Sequence, residues 1–195
     1  MAPAPRSPAE ERVSRVRILE AAQRLFAQRG FAATPTKAIA EQAGVPSGLI
    51  FYYYGSKQGL LTAILQEGAF LSRLQRRFDA LDGTLPPRAF LLSLVRMISA
   101  EIGVNLEVMR VIISEMQHHP EVLEEVRRLR ESFSLHVAGQ LTEKFRETPP
   151  QQIDTQLVVK LLFSNLIFVH LVDQAPPTEG QLEGMVDAVW CGSDK

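Results

Sequence analysis

The chain has 195 residues, 46% hydrophobic and 22% charged, and a net charge of −1. That balance belongs to a soluble globular protein and excludes collagenous, disulfide-stapled and disordered chains. Near-neutrality also speaks against a protein that simply coats nucleic acid, yet the charge is uneven: residues 1–60 carry eight basic and four acidic side chains, a net +4, and the remainder carries −5.

Residues 1–8 (MAPAPRSP) are proline-rich and read as a mobile tail. Ser7-Pro8 supplies an N-cap and a first-turn proline for a first helix, whose apolar stripe Ile18, Leu19, Ala22, Leu25 and Phe26 runs to Gly30. Thr34-Pro35 repeats the signal for a short second helix that ends at Gly44. Pro46-Ser47 opens a third helix, and Ser56 caps a longer fourth one from Lys57 to about Leu81, with Leu61, Ile64, Leu65, Leu71, Leu74 and Phe78 as apolar positions.

After DGTLPP, the residues Leu91, Leu94, Val95, Ile98 and Ile102 mark a fifth helix stopped near Gly103, and residues 105–118 make a sixth. His119-Pro120 ends it, and Val122, Val126, Leu129, Phe133, Val137, Leu141 and Phe145 carry a seventh helix to Glu147. An eighth spans about 151–173, and a ninth presents Leu182, Met185, Val186, Val189 and Trp190 on one face. No window alternates with period two, so the chain is predicted to be all-α with about nine helices.

Cys191 is the only cysteine, which excludes a disulfide framework and a cysteine zinc site and fits a cytoplasmic protein. The first ten residues lack a signal peptide's apolar run, and Lys160, Ser164, Asn165 and His170 interrupt the most apolar stretch, so no membrane partner is expected.

Residues 36–57, TKAIAEQAGVPSGLIFYYYGSK, have the layout of a helix-turn-helix. Two steeply crossing helices need a small residue at their contact, a glycine at the turn and apolar anchors, and Ala40, Gly44, Ile39, Val45 and Ile50 meet those needs. An ordinary helical hairpin needs the same residues. The third helix tips the balance, because four consecutive aromatics at about 100° intervals cannot all enter one small core. Outward Tyr52 and Tyr53 offer rings to deoxyribose and hydroxyls to phosphate, and Ser47, Gly48 and Leu49 permit close approach to base edges. Tyr54 lies four residues beyond Ile50 and suits packing instead. Lys57 stands at a helix N-terminus that already favours an anion, and Lys37 lies in the first turn of the second helix.

Residues 17–57, with LF…GF, T…IA..AGV, a glycine opening the third helix, an aromatic run and SK, resemble the DNA-binding domain of TetR/AcrR-type transcriptional regulators. The resemblance implies an all-helical homodimer that binds operator DNA, usually as a repressor, and leaves when a small molecule enters its C-terminal domain. By position it makes Lys37, Ser47, Gly48, Leu49, Tyr52, Tyr53 and Lys57 DNA contacts, and Thr36 a phosphate contact. Three residues depart from the usual pattern: Phe51 stands for tyrosine, Tyr54 for phenylalanine, and Leu49 for threonine or serine. The domains follow as 1–57, for DNA, and 58–195, a helical part for ligand and dimerisation entered by the long fourth helix.

The eighth helix is apolar on almost every face and must be covered on both sides. A central core helix would satisfy this. In the resembled architecture it meets a symmetry mate instead, giving an interface of Leu161, Leu162, Leu166 and Val169 with Met185, Val186, Val189 and Trp190 of the ninth helix. Met97, Met109, Ile113, Phe133, Phe163 and Phe168, with Arg110, Asn165 and His170, suit either a pocket for a mostly apolar effector or solid core. Glu115 and His119, with His118 beside them, lack a third metal ligand, so neither metal nor cofactor is expected. No phosphate loop, metalloprotease motif or nucleophile elbow is present, which argues against an enzyme. The expected function is a ligand-responsive repressor. The alternatives are a helical ligand-binding or interaction module that no longer reads DNA and an effector-independent DNA-binding protein.

Overall fold

The computed structural model describes residues 7–67, 69–144 and 154–190, and every regular element among them is a helix. Ser7 and Glu10 form a reciprocal capping box, each side chain accepting the other's backbone N–H, and with Pro8 in the first turn they start α1 (Pro8–Arg29). Then follow α2 (Thr36–Ala43), α3 (Gly48–Tyr54), α4 (Lys57–Glu67), α5 (Ala69–Asp79), α6 (Pro87–Glu115), α7 (Pro120–Lys144), α8 (Thr155–Asp173) and α9 (Glu179–Val189). The expected tail at 1–6, the Leu71 side chain, the seventh helix beyond Lys144 with Phe145, the start of the eighth at 151–153, and Cys191 lie outside the described residues.

The helices fall into two compact units. The first takes in the chain up to Gly68 together with residues 107–126, and the second takes in 69–106 and the chain from Arg127 onward. The unit that holds the helix-turn-helix is thus larger than residues 1–57. Its core joins Ile18, Leu25 and Phe26 of α1 to Ile39, Ile50, Leu60, Leu61 and Ile64, and Ile112 and Val122 complete it. The second unit buries Leu74, Phe78, Leu91, Leu94, Ile98 and Ile102 with Val137, Leu141, Leu162 and Leu166.

Two expectations differ, the Thr34 cap and the stop at Gly103. The predicted fourth helix is described as α4 and α5 on either side of residue 68, which lies outside the described residues, and these two stretches are assigned to different units. Thr34 does not cap α2; it is fully buried, and its hydroxyl donates to the Gly30 and Leu25 carbonyls at 2.7 and 3.3 Å, closing the end of α1. The fifth and sixth helices are one, because Gly103 does not stop α6. An interior glycine costs about 1 kcal/mol against alanine, whereas burying Ile98 and Ile102 is worth about 1.5–3 kcal/mol each. A Cβ on Gly103 would meet only His170 Nε2, at an ordinary 3.8 Å. Gly103→Ala is therefore expected to stabilise the protein by about 0.5–1 kcal/mol, read as a rise of a few degrees in Tm.

Two buried polar side chains of the second unit, Glu101 and His170, are tied to neighbours. The carboxylate of Glu101 accepts from Arg77 at 2.6 Å and faces Arg73 Nε at 3.5 Å. The His170 ring is buried, with Nδ1 2.9 Å from the Leu166 carbonyl and Nε2 3.5 Å from Ser99 Oγ. Nδ1 therefore donates, which leaves Nε2 to accept from the serine. By length and composition α6 and α8 could each cross a bilayer; more than half of that stretch is buried within the protein for α6, but only a third for α8.

Candidate nucleic-acid interface

The α2–α3 turn is built by Gly44, whose left-handed backbone (φ 66°, ψ 39°) lets its N–H close on the Ala40 and Glu41 carbonyls. The Val45 N–H also donates to Ala40 O, at 3.0 Å. Ala40 and Ala43 are buried, and Ile39 and Ile50, fully buried, anchor the two helices on the core. With Ile50 inward, the 100° step of a helix turns Ser47, Gly48, Phe51 and Tyr52 outward together. All four are exposed, Phe51 by 53% and Tyr52 by 73%. Ser47 makes no capping hydrogen bond with its side chain, so its hydroxyl is not spent on the helix. On α2, Lys37 is exposed and only 4.0 Å from Glu41, while Thr36 is half-buried at the first position.

Three expected contacts are placed otherwise. Leu49 and Tyr53 pack against the core of the first unit, and the Tyr53 hydroxyl is buried without a hydrogen-bond partner among the described residues, so neither is on the outward face. The position that carries an exposed ring beside Tyr52 is Phe51, and its spacing from Gly48 was the signal for it. Lys57 is half-buried. Its ammonium donates to the carbonyls of Phe31, Thr34 and Ala32 at 2.8, 3.1 and 3.3 Å and lies 4.4 Å from the Phe31 ring centre. An ammonium has three donors, and all three are engaged. Burial lowers its pKa from the ordinary lysine value, partly offset by Glu115. Lys57 thus fastens the 31–34 loop to the start of α4, and Lys57→Met is expected to lower stability by about 1.5–3 kcal/mol, visible in thermal melts without DNA. A selective loss of DNA affinity at unchanged Tm would contradict this role.

Tyr54 finds the partner its hydroxyl needs by donating to the Arg15 carbonyl at 3.2 Å. Burial, with Glu67 adding, pushes that hydroxyl up to about 12, although Arg15 opposes the shift. The Arg15 guanidinium pairs with Glu67 and lies 5.8 Å from the Tyr54 ring centre, so the end of α3 is held by both α1 and α4. Gly59 went unnoticed in the sequence. A Cβ there would sit 2.0 Å from the Tyr54 carbonyl oxygen. Its N–H donates to Ser56 Oγ at 2.9 Å, so the cap of α4 places this residue directly against the end of α3.

The other predicted residues divide. Leu162, Leu166 and Val186 are interior to the subunit, which corrects their assignment to a dimer face; Val169, Met185, Val189 and Trp190 are half-buried. The apolar face that α8 leaves open is Leu157, Leu161, Phe168 and Val172, each more than half exposed. Phe168 and Asn165, expected in a pocket, face solvent, whereas Met97 and His170 are buried. Met109, Arg110 and Ile113 belong to the first unit, and Arg110 pairs with Glu107 at 3.1 Å. Phe133 and Phe163 meet with ring centres 5.7 Å apart and line a cavity of about 110 Å³. Among the described residues no three His, Cys, Asp or Glu side chains gather to hold a metal; His119 faces Glu115 at 3.4 Å.

The profile of the bacterial regulatory proteins of the tetR family matches residues 18–64, which contain all of α2, α3 and the turn between them. The chain is 32% identical over 118 residues to the probable HTH-type transcriptional regulator ArpR of Pseudomonas putida, an alignment covering 58% of this chain and 53% of the relative. It thus spans about half the length of the curated relatives it matches first. Its fold is that of a TetR-family regulator from Mesorhizobium loti (TM-score 0.76, 19% identity, covering 92% and 94% of the two chains). It is also that of Salmonella enterica GusR (TM-score 0.74, 21% identity, covering 94% and 97%).

Proposed function

The chain carries a tetR-family regulatory domain at its N-terminus and the fold of tetR-family regulators, and from that premise we propose that it is a dimeric, sequence-specific DNA-binding regulator, a repressor released by a small effector. The observation that carries this reading is the outward face of α3. Ser47 and Gly48 leave room for base edges, and Phe51 and Tyr52 offer rings to the sugar–phosphate wall, Tyr52 with a hydroxyl for phosphate. Thr36 and Lys37 open the neighbouring helix and are assigned to flanking phosphates or bases. The +4 of residues 1–60 lies on the same domain, so the molecule approaches DNA with one oriented face while the acidic remainder limits indiscriminate binding.

A second copy covers the Leu157–Val172 stripe of α8, and the pair presents two recognition helices to half-sites about one DNA turn apart. The test is selection from a random duplex library, followed by titration of the selected site across salt concentrations. The expected site is two-fold symmetric, and its affinity falls steeply with salt as phosphate contacts release counterions. Tyr52→Ala should weaken binding about tenfold with Tm unchanged, because the side chain is exposed. Failure to enrich any sequence, or binding indifferent to salt, would sink the proposal.

A further inference from the structure

The second unit contains the cavity between α7 and α8, and its lining has a definite chemistry. Phe133, Val159 and Phe163 make an apolar wall, Arg130 and Lys160 bring two cations, and no acidic side chain joins them among the described residues. Four other arginines of this unit have carboxylate partners: Arg73 and Arg77 share Glu101, Arg88 pairs with Asp187, and Arg96 with Glu179. Arg130 and Lys160 have no such carboxylate among the described residues.

The remaining lining groups are two serines. Ser134 is 3% exposed, and its hydroxyl has no hydrogen-bond partner among the described residues. A helical serine or threonine ordinarily bonds back to the carbonyl four residues earlier, as Thr142 of the same helix does to Ala138 at 2.8 Å. Ser134 does not, and a buried unpaired hydroxyl costs about 1–3 kcal/mol. A ligand oxygen in the cavity would relieve that cost and meet the two cations.

The volume limits the ligand. At about 110 Å³ the cavity is somewhat smaller than an apolar cavity of about 150 Å³ known to hold benzene, so its enclosed space takes no more than one small ring or a short branched chain. We infer that it binds a small monocarboxylate, with the apolar body against Phe133, Val159 and Phe163 and the carboxylate between Arg130, Lys160 and the Ser134 hydroxyl. This names the chemical class of the effector proposed above, and its regulatory use rests on that reading; the binding itself does not.

The experiment is calorimetric titration of the full chain without DNA, using benzoate, its neutral isostere benzamide, the cation benzylamine, and the longer octanoate. Benzoate is expected to bind at least about tenfold more tightly than benzamide, since two charge-assisted contacts are lost, and benzylamine and octanoate should not bind. Arg130→Gln and Lys160→Gln should each weaken benzoate about five- to tenfold and leave Tm unchanged. Ser134→Ala should raise the Tm of the free protein while weakening benzoate, a pairing that a purely structural serine would not give. Equal binding of benzoate and benzamide, or none at millimolar concentration, would overturn the inference. Benzoate binding by a protein that selects no operator would uphold the site and overturn the proposed function; binding without operator release would uphold the site and overturn its regulatory use.

Discussion

Gly59→Ala should remove operator binding and lower Tm by about 10 °C or more, although Gly59 lies outside the recognition helix. The added Cβ would stand 2.0 Å from the Tyr54 carbonyl oxygen and 3.2 Å from its carbon. Both are backbone atoms, so no rotamer change relieves the overlap. The oxygen cannot retreat freely, because it accepts the Ser56 N–H at 2.8 Å, and Gly59 cannot retreat without losing its own bond to Ser56 Oγ. The α3–α4 junction must open, and Leu60 and Leu61, fully buried next to it, move with it. Overlap of this kind costs at least about 3 kcal/mol, which in a domain of this size is a large shift in melting temperature. Gly48→Ala is the companion experiment. Nothing lies within 4 Å of a Cβ there, and the backbone is ordinary, so the fold should be kept. The new methyl enters the face assigned to bases, and affinity should fall with Tm unchanged. If Gly59→Ala melts within a degree or two of the parent, the α3–α4 contact is not what holds the recognition helix.

Phe168→Asp is expected to give a monomer whose operator affinity is at least about a hundredfold weaker. The phenylalanine is 64% exposed and lies in the α8 stripe with Leu157, Leu161 and Val172. Covering such side chains is worth about 1.5–3 kcal/mol for each one fully buried, so in the proposed dimer the stripe on two copies would supply the core of the interface. An aspartate would bring a charge into that seam from both sides, and desolvating unpaired carboxylates costs several kcal/mol each. Within one subunit the change is nearly neutral, since the position faces solvent. Helicity by circular dichroism should therefore be kept while sedimentation reports the monomer. The affinity loss follows from uncoupling two half-sites, a link worth about 10²–10⁴ in avidity. Phe168→Leu should stay dimeric. A dimeric Phe168→Asp protein would place the interface elsewhere.

What the sequence revealed depended on how local each signal was. The start of α1 was legible because Ser7, Pro8 and Glu10 act within one turn, and so was the α2–α3 turn at Gly44. Gly103 misled because the same residue that ends one helix is tolerated in another once a buried stripe continues through it. The aromatic run showed that some rings of α3 face outward. Which ones do was decided by the core on which Ile50 sits, and it turned Tyr53 in and Phe51 out. Lys57 could not be read at all, since its three carbonyls belong to residues 23 to 26 positions earlier. On α8, an apolar surface on every side carries no phase. Burial of Val158, Leu162, Leu166 and His170 supplies one and leaves the opposite stripe open.

In the proposed dimer, that open stripe would also make the protein's durability depend on its own abundance. A face that a second copy covers, and that the unfolded chain cannot offer, couples folding to association, so mass action adds stability as concentration rises. A freshly made chain at low concentration would carry its apolar face bare, exposed to proteolysis and to wrong partners, until it meets its like. The level of such a regulator would then respond more than linearly to its rate of synthesis, because the species that is removed is chiefly the solitary one.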